Sequence, residues 1–116
     1  MRRGGASKDH GAVVAGVVTY LMTLSSMRLA AERAGASEAL RQELAESQPH
    51  LLAWFSRMVP TMYSKAYRFV GEMEEVAGFL GRDRPEHLFF EGAAGLYTRL
   101  AEDHQSHKQE TGALSA

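Results

Sequence analysis

Apolar residues run almost unbroken from Ala12 to Leu24, and the 17 residues from Gly11 to Met27 carry no charge. A membrane span needs about 20 such residues. Gly16, Thr19, Thr23, Ser25 and Ser26 make the run less greasy than a lipid-facing helix. The preferred reading is a helix buried on most sides, at the centre of a bundle or a dimer. Ala12, Ala15 and Gly16 would let another helix approach it closely. Ser7 is a good N-cap with Asp9 in the first turn, and Gly35 suits the left-handed position after Ala34. This first helix is then about 27 residues and ~40 Å long, more than one small domain readily covers, so a partner subunit is expected.

The pattern changes after Gly35. A second helix is expected from Ser37, as N-cap, to about Glu46, with a narrow stripe of Ala39, Leu40, Leu44 and Ala45. Ser47-Gln48-Pro49 opens a third, short and apolar nearly all round, which stops before Pro60. A fourth is expected from Pro60 to Leu80. Met62, Ala66, Phe69, Met73, Val76, Ala77 and Leu80 recur on it at spacings of three and four. Asp83 and Glu86 form a capping-box pattern, with Pro85 in the first turn, for a fifth helix. Its stripe is Phe89, Ala93, Leu96, Tyr97 and Leu100. No period-two strand occurs. The fold class is all-α, about five helices with a long central first helix. Residues 1–6 are expected as a flexible arm, 7–103 as the helical domain and 104–116 as a flexible, frayed tail.

Composition narrows the chemistry. The chain has 116 residues, one domain by length. Thirteen basic against fourteen acidic residues leave no excess that points to nucleic acid or an anionic membrane. The absence of Cys excludes disulfides, thiolate zinc sites and Cys nucleophiles, and a reducing cytoplasm fits. Arg2 and Arg3 precede the apolar run as in a secretory leader, but no cleavage site follows it.

Glu72, Glu74 and Glu75 form the densest acidic cluster. Two carboxylates in a cleft can raise one another's pKa and make a general acid; on an amphipathic helix the simpler reading is a solvated face. His104 and His107 have an i,i+3 spacing that could present two imidazoles to a metal, but they fall in the polar tail, so no metal site is assigned. His50 and His87 sit at helix starts and suit local contacts. Gly92 and Gly95 read as close packing, and Met22, Met27, Met58, Met62 and Met73 as fillers of core gaps.

The stretch Lys65-Ala66-Tyr67-Arg68-Phe69-Val70-Gly71-Glu72-Met73-Glu74-Glu75-Val76-Ala77 resembles the C-terminal helical domain of a prokaryotic branch of the 6-phosphogluconate dehydrogenase-like, or 3-hydroxyacid dehydrogenase, superfamily. Leu29 to Gly35, Ser47-Gln48-Pro49 and Tyr97-Thr98-Arg99-Leu100 carry further likeness, which covers about Gly4 to Ala101. The resemblance implies a domain that supplies a dimer interface and part of a substrate pocket. The cofactor, NAD or NADP, would be bound only by a Rossmann domain that this sequence lacks. Hydride would pass between the nicotinamide and a hydroxy or keto acid, with a Lys on the first helix handling the hydroxyl proton. His10 stands where that Lys is expected, and Val14 falls one turn later. His10 is either an acid–base substitute or a drifted position, and drift is preferred.

The resemblance thus implies a substrate-binding and dimerisation domain of an NAD(P)-dependent hydroxyacid dehydrogenase. It would form a homodimer, take a small organic acid, or dock a separate Rossmann subunit or a pathway enzyme. Its pocket candidates are His10 as catalytic residue and Ser7, Glu72 and Glu75 for substrate. The alternatives are a non-enzymatic helical partner or scaffold, and a small cofactor-independent enzyme that reuses the pocket.

Overall fold

The computed structural model describes residues 11–16 and 19–115. The described residues are all-helical, 86% of them in helix, with no strand. The first helix, α1, is described over residues 11–16 and Tyr20–Ala34. At Thr19 the backbone amide still reaches the carbonyls of Ala15 (3.1 Å) and Gly16 (3.2 Å). The helix ends at Gly35, whose φ of 73° is left-handed; the Ala36 amide donates to the Ala31 carbonyl at 2.8 Å and closes the turn. By length and composition α1 is apolar enough to cross a membrane, but Leu21, Met22, Ser25 and Leu29 are buried within this chain.

The later elements are α2 (Ser37–Ser47), α3 (Pro49–Met58), a 3-10 segment (Val59–Lys65), α4 (Ala66–Leu80), α5 (His87–His104) and α6 (Gln109–Ser115). The antiparallel pair α4 and α5 is the most extensively packed in the molecule. It buries Met73, Val76 and Ala77 against Ala93, Leu96, Tyr97 and Leu100. Helix α1 lies across this pair: a Cβ added at Gly16 would stand 3.4 Å from Val76 and 3.7 Å from Phe90. The close approach expected at Gly16 is therefore made inside the chain.

Four boundaries differ from the sequence expectation. The segment after Pro60 is a 3-10 turn up to Lys65, and α4 begins only at Ala66. Asp83 and Glu86 make no capping box: residues 82–86 form turns and α5 starts at His87 without a side-chain cap. Ser37 lies inside α2 and donates instead to Glu32 Oε2 at 2.5 Å. The stretch after Asp103 is no frayed tail over 109–115, since α6 forms there and buries Thr111 and Leu114. Two side chains also differ. Phe89 is 76% exposed instead of joining the α5 stripe, and Met27 is exposed although Met22, Met62 and Met73 fill the core.

Helix α6 is held by polar side chains that precede it. Asp103 accepts from the Glu110 amide at 3.1 Å and from the Thr111 amide and hydroxyl at 2.8 and 2.9 Å. It thus caps the helix from seven and eight residues away. Arg99 grips Glu110 with two bonds of 2.9 and 2.8 Å. The Arg28 guanidinium donates to the Ala113 carbonyl at 3.2 Å, and the Tyr63 hydroxyl donates to that of Thr111 at 3.1 Å. Burial alone would raise the Asp103 pKa, but the bonds from Thr111 and Glu110 outweigh it and hold the carboxyl below its ordinary value. A depressed pKa adds stability that is full above the ordinary carboxylate value of about 3.9. That contribution is lost as pH falls through the lowered one, so α6 is expected to loosen in acid.

Ser25 is fully buried in α1, and its hydroxyl has no hydrogen-bond partner among the described residues. An unsatisfied buried hydroxyl costs about 1–3 kcal/mol. Ser25→Ala is therefore expected to stabilise the fold by about 1 kcal/mol, read as a higher urea midpoint at unchanged slope. A lower midpoint would mean that the hydroxyl is satisfied.

Candidate functional site

Two concave features lie where α1 meets α5. The larger is an open groove of about 940 Å³ between α1 and α5. From α1 it takes Gly16, Thr19, Thr23 and Ser26, spaced three and four apart and so on one face. From α5 it takes Leu88, Gly92, Gly95 and Arg99, again one stripe, with Phe89 beside it. Leu88 is 60% exposed. A Cβ added at Gly92 or Gly95 would meet nothing within 4 Å. The close packing expected of these two glycines is thus not made among the described residues.

The smaller feature is a cavity of about 370 Å³ where the start of α1 faces α4 and α5. Gly11, Val14 and Ala15 form one wall. Phe69 and Met73 of α4 and Tyr97 of α5 form the other, and Glu72 is its one ionisable carboxylate. The antiparallel pairing of α4 with α5 brings the rings of Phe69 and Tyr97 to 5.1 Å, tilted by 32°. The Thr19 hydroxyl donates to the Ala15 carbonyl at 2.7 Å and lies 3.0 Å from Met73 Sδ, which ties the wall of α1 to that of α4. Burial, and next the charge of Glu72, push the Tyr97 phenol well above its ordinary pKa. Tyr97 is therefore a neutral phenol throughout the physiological range.

Of the sequence candidates, Ser7 and His10 lie outside the described residues. Glu72 lines the cavity at its rim and is itself solvent-exposed. Glu75, three residues on, is solvent-exposed and not among the residues that line it. Glu74 faces solvent as well, and its carbonyl accepts from Arg82. The two carboxylates Glu72 and Glu75 therefore do not share this cavity. His104 packs its ring on Tyr63 at 5.7 Å, His107 is exposed, and His87 pairs with Glu91. No three His, Asp or Glu residues converge as a metal site among the described residues.

Sequence reasoning missed Tyr97 as a cavity wall because its spacing is that of an ordinary core stripe. It missed Phe89 as a surface group because an apolar residue one turn before Ala93 reads as core. The available signal was the pair Leu88-Phe89, which with Phe90 makes α5 apolar on more sides than one neighbour can cover.

Comparison with known proteins gives one match. The model of a family described as "Domain of unknown function (DUF1932)" covers residues 31–100. That domain is found as the C-terminal helical part of 3-hydroxyacid dehydrogenase-like proteins. No curated protein and no solved structure matches. The matched span holds Glu72, Phe89, Gly92, Gly95 and Tyr97, whereas the residues from Gly11 to Ser26 that line the two features from α1, and α6, lie beyond it.

Proposed function

This chain belongs to the DUF1932 family, and on that footing we propose that it is a substrate-binding and dimerisation domain of a hydroxyacid dehydrogenase-like protein. A NAD- or NADP-binding domain, on the same polypeptide or on a separate subunit, would supply the hydride. The helical domain would supply the subunit interface and one wall of the substrate site, the cavity beside Glu72. His10 keeps the role of acid–base candidate, with Ser7 and Glu75 as outer substrate contacts. Because the working domain pairs with a cytoplasmic cofactor pool, the protein is assigned to the cytoplasm.

The observation that carries self-association is the pair Gly92 and Gly95. A glycine within a helix costs about 0.5–1 kcal/mol relative to Ala. Nothing among the described residues occupies the space a Cβ would take at either position. A helix of a second copy, approaching along the groove, makes that absence of side chains useful. The exposed Leu88 and Phe89 beside the groove supply the apolar anchors such an interface needs. This same contact covers the long apolar α1, which argues for a protein partner over lipid.

Sedimentation velocity over a concentration series tests this reading. The expected result is a dimer in buffer without detergent. A monomer persisting at about 100 μM, roughly a Kd weaker than 5.5 kcal/mol of association, would overturn it.

A further inference from the structure

We propose that the cavity beside Glu72 receives a small organic cation, an ammonium group joined to an apolar body. The inference rests on the proposed substrate-binding role of that cavity and names the class of group it selects. Its walls are Val14, Ala15, Phe69, Met73 and Tyr97, and about 370 Å³ is room for a small molecule. Among the described residues that line it, the one charge is negative, that of Glu72. No hydrogen bond or ion pair engages the Glu72 carboxylate among the described residues. A cation entering there meets its counter-charge directly. A carboxylate ligand meets a like charge, and Tyr97 and Phe69 give it no positive group.

The aromatic walls act in the same sense. Phe69 and Tyr97 lie with ring centroids 5.1 Å apart, and ring faces attract ammonium groups through their quadrupole. Tyr97 remains a neutral phenol, so it lines the cavity without adding charge. Met73 is buried and polarizable, and suits an alkyl or aryl body. The substrate-binding reading began from a hydroxy acid. The cavity itself points to a substrate, or a part of one, that carries an amine.

The test is an NMR titration of the full chain with benzylammonium and, separately, with benzoate, two probes of like shape and opposite charge. Benzylammonium is expected to shift resonances of Phe69, Met73 and Tyr97, and benzoate to leave them unmoved. Glu72→Gln should weaken benzylammonium about tenfold or more, while Glu72→Asp should retain part of the binding. Glu72 is on the solvent side of α4, so neither variant should disturb the fold, and circular dichroism checks that. Stronger binding of benzoate, or equal binding to Glu72→Gln, would overturn the cation assignment and leave the cavity as a substrate site. Binding of neither probe would overturn both. The state of association is read separately by sedimentation and is not touched by either outcome.

Discussion

Phe89→Glu is expected to convert the proposed dimer into a monomer. Phe89 is 76% exposed on α5, at the edge of the groove that the second copy would fill. A buried aromatic anchor at an interface is worth about 2–4 kcal/mol. A two-fold interface uses the same residue twice. The substitution should then cost at least about 4 kcal/mol of association, roughly a thousandfold in the dimer dissociation constant. Folding of the monomer should be unaffected, since the side chain makes no core contact.

Gly92→Ala and Gly95→Ala sharpen the same test because their two effects have opposite signs. Within one chain each added methyl meets open space and removes a flexible residue from a helix. The isolated subunit should gain about 0.5–1 kcal/mol from each. At a tight helix crossing, the same methyl pushes the partner away, so association should weaken. Higher thermal stability with unchanged association would place the interface elsewhere.

Truncation after Lys108 is the second large effect. The polar residues beyond Asp103 look dispensable in sequence, yet removing α6 would delete the buried Thr111 and Leu114 and uncover the core they cover. Loss of a buried Leu alone costs about 2–5 kcal/mol. The helix-capping bonds of Asp103, worth roughly 1 kcal/mol, go with it, and Tyr63 loses its acceptor at Thr111. A loss of about 4 kcal/mol or more in chemical denaturation is expected, a large part of the stability of a domain this size. Asp103→Ala should reproduce only the capping fraction. A truncated chain as stable as the full one would show that α6 does not hold the fold.

The α4 and α5 stripes were legible because each is long, amphipathic and set at strict helical spacing. Met73, Val76, Ala77, Ala93, Leu96, Tyr97 and Leu100 are buried as that spacing predicts. Gly35 was legible too, since its position requires a left-handed residue. Helix α6 was not, because seven residues with two apolar side chains carry no periodicity. Its stability comes from Asp103, Arg99, Arg28 and Tyr63, which are distant in sequence. The capping box at Asp83 failed for a related reason. Gly81, at φ 103°, lies so near Asp83 that a Cβ there would stand 2.8 Å from its carboxylate, and the tight turn uses Asp83 before α5 begins. Glu72 was singled out by its acidic neighbours, but what distinguishes it is the apolar wall opposite, supplied by helices far along the chain.

The bond from Arg28 to Ala113 joins residues 85 positions apart. During synthesis at ~5–20 residues per second, roughly 4–17 s separate the two partners. The α4–α5 pair, joined by a short turn, can assemble in that interval, but α1 cannot receive its last cover. For those seconds the nascent chain displays an apolar stretch of the kind that recruits chaperones and membrane-targeting factors. The arrival of a seven-residue helix shortens that exposure, and the proposed second copy would complete the cover.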